Sequence, residues 1–283
     1  MRGMTVDAGD AAPLSHTARV VAGIRALDAR KPAPEQLVGD RFAERFLEGD
    51  LAPAREFLAA KPEAEWNVLL RHRALDDWLT GQVTAGVSQV VLLAAGLDAR
   101  AYRLAALAEG VTVFEIDQAA PLTRKRALVR RACGALPPHV VYLPLDLAAA
   151  DPAAALAAAP GFRPGPTAVI MEGLTCYLPE AALASLLRRV GTLPVPRLAL
   201  AFDYFDRTHP RRPETVAAIE AGGEALIGFF APAAVAEWAG AAGFGPGTDR
   251  TVAALAAEYL DRPHPVAYFH LFQAAREGPA PGL

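Results

Sequence analysis

From Ser15 the apolar residues fall three and four apart. Val20, Val21, Ile24 and Leu27 form one stripe, the spacing of a helix with one buried face, and Ser15 is placed to cap it. Pro32 and Pro34 end that pattern. Asp40 to Leu51 predicts a second short helix with Phe42, Phe46 and Leu47 inward. A third is expected over about 65–80, carrying Trp66, Leu69, Leu70, Leu75, Trp78 and Leu79, with Gly81 and Gly86 at its exit. The rhythm then changes. Short apolar runs at 89–93, 111–117, 140–143, 167–171 and 197–203 alternate with helical patterns at about 101–109, 119–132, 150–158 and 179–191. Fully apolar strands separated by helices imply βαβ units and a parallel sheet covered on both faces.

The C-terminal part reads differently. A helix over about 232–242 leads to the Gly-rich turn 243–247, and an extended run from His264 to Ala274 follows, expected as part of a late hairpin at the sheet edge. Residues 160–166 and 204–213 are expected to be loops, the second long enough for a lid or substrate loop. Residues 1–14 are expected to form a flexible tail.

Composition narrows the function classes. The 283 residues suffice for a full core, and 53% hydrophobic with 21% charged residues is ordinary for a globular chain. A formal net charge of −3 argues against a nucleic-acid partner. Cys133 and Cys176 are far apart and expected to be free thiols, and no metal-ligand spacing is present. There is no secretory signal pattern and no apolar run near the ~20 residues of a membrane span, so no membrane partner and a cytoplasmic location are expected.

Chemistry concentrates where the strands end. Val90 to Leu93 runs into the small-residue turn Ala94-Ala95-Gly96, and a second strand ends in Asp117 about 20 residues on. Small side chains let a ligand lie against the backbone, and an acid at the next strand tip can accept both hydroxyls of a ribose. A plain packing turn and a solvated strand end would look the same. Asp146, just past the third strand, reads as an adenine contact with Leu147 against the ring, or as a helix cap. Glu172 ends the fourth strand, so three successive tips carry acids. Arg71 is a candidate to fork onto a ligand carboxylate, and Arg71 and Arg73 could equally pair with Asp76 or Asp77.

Specific segments then carry a resemblance. They are Ser15-His16-Thr17-Ala18 with Arg25-Ala26, Asp40-Arg41-Phe42-Ala43, Arg71-His72-Arg73, and Gly96-Leu97-Asp98-Ala99-Arg100-Ala101-Tyr102-Arg103-Leu104. Phe114-Glu115-Ile116-Asp117-Gln118, Leu145-Asp146-Leu147 and Glu172-Gly173-Leu174-Thr175-Cys176-Tyr177-Leu178-Pro179-Glu180 complete them. In order and spacing, over roughly residues 15–205, the chain resembles the leucine carboxyl methyltransferase family, in its bacterial branch of S-adenosylmethionine-dependent O-methyltransferases that includes natural-product carboxyl methyltransferases. The resemblance implies a Rossmann-like class I methyltransferase fold, α/β, with a mostly parallel seven-stranded sheet, helices on both faces and an N-terminal helical lid over 15–86, the cofactor-binding core being 87–283. It implies S-adenosyl-L-methionine as cofactor, with Arg71 on the methionine carboxylate, Ala94 and Gly96 backing the amino-acid part, and Asp117 on the ribose. Asp146 and Leu147 would take the adenine, Glu172 would lie near the methionine ammonium, and Thr17 would reach in from the lid. Ala94 stands where the family's turn usually has its first glycine.

Methyl transfer from a sulfonium is a direct displacement, so the protein chiefly supplies orientation. A carboxylate acceptor is already ionised and needs no base, whereas a hydroxyl does. Tyr177, His209, His264, His270 and Asp203 are the candidates for that base, and none stands out. The expected reaction is therefore O-methylation of a small-molecule acceptor, with a carboxylate favoured over a hydroxyl. A cofactor-binding protein that transfers no methyl is the alternative, suggested by Ala94 alone. A nicotinamide enzyme fits poorly, because the turn is not Gly-x-Gly-x-x-Gly.

Overall fold

The structure, a computed structural model, describes residues 15–208, 225–260 and 268–278. His209, His264 and the 1–14 segment lie outside the described residues. Among the described residues four α-helices precede the sheet: α1 (His16–Ala29), α2 (Arg41–Phe46), α3 (Ala52–Ala60) and α4 (Ala64–Thr84). The Ser15 hydroxyl caps α1 by accepting the Ala18 amide at 3.2 Å. The expected helix from Asp40 to Leu51 is shorter than its pattern. Asp40 caps it through the amides of Phe42 and Ala43, and Glu48 and Gly49 turn to positive φ just after it. α3 carries Pro at its start, where a missing amide costs nothing. α4 runs through Gly81 to Thr84, so that glycine lies inside the helix and not at its exit.

The strands are β1 (Gln89–Leu93), β2 (Thr112–Asp117), β3 (Val140–Pro144), β4 (Thr167–Met171), β5 (Arg197–Asp206), β6 (Phe229–Phe230), β7 (Thr248–Thr251) and β8 (Phe269–Glu277). Among the described residues the sheet follows the seven-strand path β3-β2-β1-β4-β5-β8-β7, with the two-residue β6 paired to β5 beside it. β1 to β5 are mutually parallel and β8 is antiparallel to both β5 and β7. The expected late hairpin is replaced by a different connection. β8 lies inside the sheet, between β5 and β7, and α10 (Val252–Leu260) intervenes between β7 and β8. His270 is therefore on an interior strand. Tyr204 to Asp206, expected to be loop, continue β5 because they pair with Phe269 and His270 on one side and Phe229 and Phe230 on the other.

Both sheet faces are covered, as continuous apolar strands require. Val91 and Leu93 pack with α7 (Pro152–Ala157), α8 (Glu180–Gly191) and α9 (Pro232–Ala241) on one side. Val90 and Leu92 pack with α4 and α10 on the other. Leu70, Leu75 and Leu79 of α4 are fully buried there, each contributing on the order of 2 kcal/mol. α5 (Arg100–Arg103) and α6 (Ala119–Cys133) follow β1 and β2. Leu128 and Val129 of α6 pack against α1 and α2, which ties the helical segment to the sheet domain. No helix among the described residues is long and apolar enough to cross a membrane. Cys133 and Cys176 form no disulfide among the described residues, the first being exposed and the second buried.

Candidate cofactor and acceptor site

The parallel strands all end along one edge, and a cavity of about 340 Å³ lies there, roofed by α1, α3 and α4. Its size suits a small organic ligand. Thr17, Arg71, Ala94, Gly96, Asp117, Glu172 and Tyr177 all line it, as does Asp203.

The turn after β1 is built by backbone geometry. Ala94 has φ of +54° and Gly96 +39°. A left-handed residue with a Cβ costs about 1–2 kcal/mol, so Ala94 holds a conformation that glycine would take freely. The turn is pinned on every side. The Ala95 amide donates to Ile116 O at 3.0 Å, and the Gly96 amide donates to Asp117 Oδ2 at 2.8 Å. The Ala95 carbonyl accepts from the Asp98 amide at 2.8 Å and from Lys125 Nζ at 3.2 Å. Lys125 is itself buried and ion-paired with Glu115 at 2.9 Å. Tyr102 donates to the same Glu115 oxygen, and burial pushes the Glu115 carboxyl up in spite of the ammonium beside it.

Behind the cavity wall lies a buried lattice of charges. Arg71 donates to Glu172 at 3.0 Å and to Asp203 at 3.2 Å, and its guanidinium sits 5.0 Å from the Phe269 ring centre. Arg100, fully buried, reaches Asp76, Asp98 and Glu172 at 2.5–2.7 Å. His72 bridges the two halves of the lattice. One proton arrangement satisfies both ring nitrogens: Nδ1–H donates to Glu172 Oε2 at 2.9 Å, and Nε2 accepts from Arg103 at 2.7 Å. Burial and the Arg100 charge hold the His72 imidazole below its ordinary value, which agrees with that neutral form. Burial alone would raise Glu172, but His72 and Arg100 hold it well below the usual carboxylate range. Asp98 is likewise held down, at about 2, by Arg100 against the pull of burial. Burial outweighs Arg71 at Asp203, whose carboxyl is pushed up. Arg25 joins this lattice from α1, donating to Asp40 at 3.0 Å and to the Leu97 carbonyl at 2.8 Å.

Carboxylates outnumber arginines in this wall, six (Asp40, Asp76, Asp98, Asp117, Glu172, Asp203) to four (Arg25, Arg71, Arg100, Arg103). The wall thus suits a ligand with a positive excess.

Other expected site residues lie elsewhere. Asp146 is exposed and accepts the Ala148 amide at 2.9 Å, and neither it nor Leu147 lines the cavity. Leu147 packs at the rim of the core beside β3, and its carbonyl accepts from Arg189 at 3.0 Å. His270 does not line the cavity either. Its Nδ1 lies 3.0 Å from Asp249 and 3.2 Å from the Tyr204 hydroxyl. Arg73 pairs with Asp77 one turn on, at 2.9 Å, as a surface contact. His16, not singled out by its sequence position, lines the cavity from the first turn of α1. Its place in the segment Ser15-His16-Thr17 was the only available signal.

Residues 18–191 match the sequence model of the Leucine carboxyl methyltransferase family. The chain belongs to that family. A Frankia alni protein provisionally named an S-adenosyl-L-methionine-dependent methyltransferase is 38% identical over 187 residues, covering 62% of this chain and 64% of the relative. A Rhodococcus jostii protein with the same provisional name is 39% identical over 196 residues, covering 67% of this chain and 65% of its own length. The match thus spans just under two thirds of these family members. A crystal structure from Thermobifida fusca, provisionally named a methyltransferase, superposes with a TM-score of 0.63 over 92% of this chain and 94% of its own. At 15% identity that likeness shows the fold alone, a Rossmann-like class I methyltransferase fold.

Proposed function

We propose that the protein is an S-adenosyl-L-methionine-dependent O-methyltransferase acting on a carboxylate or hydroxyl oxygen of a small molecule. The observation that carries this reading is Asp117. It stands at the tip of β2, lines the cavity, and is bonded to the amide of the small-residue turn that faces the same space. The residues present fit the cofactor. The turn offers a wall without bulky side chains, Asp117 retains lone pairs for the two ribose hydroxyls, and the acid-rich wall suits a ligand with a sulfonium and an ammonium against one carboxylate. Membership of a methyltransferase family, and the names of its relatives, support the same cofactor.

When bound, that cofactor supplies an activated methyl group for direct displacement. The protein's part is then to bind, orient and exclude water. Arg71, fixed by Glu172 and Asp203, would present its remaining edge to the methionine carboxylate. Glu172 would act on the ammonium region partly through Arg71 and His72, since both already hold it. Thr17 would close over the ligand from α1. Asp146 and Leu147 would meet the adenine beyond the cavity, beside the end of β3. Residues 15–86 would act as the lid over a core beginning at 87, with α4 shared between the two. Ala94 keeps the left-handed backbone that a glycine would take at this turn, which supports the reading that the turn is intact.

Calorimetric titration with S-adenosylhomocysteine and, separately, with NAD tests the cofactor. Heat with the first and none with the second is expected, and the reverse would reject the reading. Incubation with S-adenosylmethionine and small acids and phenols should then give products heavier by one methylene.

A further inference from the structure

Four histidines fall within the described residues, and three are committed. Both nitrogens of His72 are engaged with Glu172 and Arg103. His139 meets the Ala101 carbonyl at 2.9 Å, and His270 is held by Asp249 and Tyr204 away from the cavity. His16 differs. It lines the cavity, and among the described residues it has neither a hydrogen bond nor an ion pair. It enters from α1, opposite the strand ends that hold the proposed cofactor residues, so an acceptor between roof and sheet would meet it.

We propose that His16 is the proton acceptor of the reaction, and that the methyl acceptor presents an un-ionised hydroxyl, a phenol or an enol, instead of a carboxylate. This rests on the methyl-transfer reading above. The cavity's charges favour it. Asp98, Asp117, Glu172 and Asp203 face the space, against Arg25 and Arg71, and both arginines are already bonded to acids. A carboxylate acceptor would add another negative charge, with only the cofactor's own cationic groups left to face it. A hydroxyl adds none, but a phenol's pKa of about 10 means that it needs a base.

The other titratable groups on the cavity are poorer bases. Both Asp203 oxygens are already engaged, Oδ2 by Arg71 and Oδ1 by the Gly173 amide. Tyr177 and Tyr268 are phenols that would have to ionise first, and Cys176 lies buried with its thiol toward the Gly173 carbonyl. His72 is enclosed by Arg100 and Arg103.

The step balances. The acceptor oxygen gives its proton to a ring nitrogen of His16 and forms the new bond to the methyl carbon. The pair of the broken carbon–sulfur bond stays on sulfur, and the imidazolium returns its proton to solvent. The rings of Phe57, Phe205 and Phe269 on the same cavity give an aromatic acceptor faces to pack against.

The test uses the full chain, wild type and with His16→Ala and His16→Gln. S-adenosylhomocysteine titration comes first. All three proteins should bind it equally, and failure in the wild type would remove the cofactor reading itself, not the role of His16. Each protein is then given S-adenosylmethionine with a panel of matched pairs, such as 2-naphthol with 2-naphthoate, and methyl gain is read by mass. The wild type should methylate phenols and leave the acids. Both variants should lose at least 100-fold in kcat, the size expected for a general base, with KM changed less than threefold. The acid limb of the wild-type kcat profile should disappear in both. Matching circular dichroism and melting points exclude misfolding, and His16→Gln, which keeps a hydrogen-bonding group but cannot take the proton, separates a base from a mere contact. Methylation of the acids alone, methylation of no panel member, or unchanged kcat in the variants overturns the proposal.

Discussion

The Asp117 carboxylate accepts the Gly96 amide at 2.8 Å, across 21 residues of sequence. Its other oxygen accepts the Gln118 amide at 2.7 Å. One side chain therefore shapes the turn and faces the ligand space. Asp117→Ala should remove both functions. We expect S-adenosylhomocysteine affinity to fall more than 100-fold and stability to drop by about 1–3 kcal/mol, the cost of an orphaned amide. Asp117→Asn keeps an acceptor for Gly96 and should recover most of the stability but only part of the affinity. Calorimetry and urea unfolding read the two effects separately, and near-native affinity in Asp117→Ala would reject the ribose role.

The positive φ of Ala94 makes a sign prediction. Glycine there would relieve about 1–2 kcal/mol of backbone strain and give back about 0.4–1 kcal/mol through the freer unfolded chain. Ala94→Gly should thus stabilise the protein by about 0.5–1 kcal/mol and raise its melting point, while Ala94→Val should lower it. A lower melting point for the glycine variant would show that the turn does not strain Ala94.

Much of this was legible in the sequence, for physical reasons. β1 and β4 match their apolar runs to the residue, because both are buried along their whole length and carry only apolar side chains after the first residue. α3 escaped notice because it spans only nine residues and its stripe is the short set Ala54, Phe57 and Leu58. β6 is two residues long, too short for any pattern. In the site, Asp117 and Glu172 were visible as acids at strand tips. The partners of Arg71 were not, since Glu172 and Asp203 lie 101 and 132 residues away and short-range spacing offers only Asp76 and Asp77. Asp76 instead meets Arg100 and Arg103. His16 was beyond reach, because its setting depends on how α1 folds over the strand ends.

Lys125→Met should cost more at pH 8 than at pH 5. The Glu115 carboxyl is already raised by burial, and a raised carboxyl stabilises the fold at low pH and loses that contribution as pH rises through its folded value. Without the ammonium it rises further, so the variant escapes the penalty only where Glu115 takes up a proton. Urea midpoints at the two pH values check this, and an equal loss at both would contradict it.

Asp98 has the opposite sign. Its carboxyl lies at about 2 instead of 3.8, so its contribution is full above about pH 4 and is lost as pH falls towards 2. Asp98→Asn should be less stable than wild type at neutral pH and should show a flatter acid limb between those values. Denaturant midpoints from pH 7 down to 2 measure it, and parallel acid limbs for the two proteins would rule out Asp98 as the source.

The charge lattice crosses from α1 and α4 to the sheet edge, and this bears on how the molecule comes apart. Arg25 and Arg71 belong to the N-terminal helices, whereas Glu172, Asp203 and the Leu97 carbonyl belong to what they cover. Peeling one side away would strand buried carboxylates without their cations, at about 3–5 kcal/mol for each broken pair. A fragment beginning at residue 87 should therefore be insoluble or unfolded instead of a smaller working domain, and the described helices and sheet should melt in a single cooperative transition.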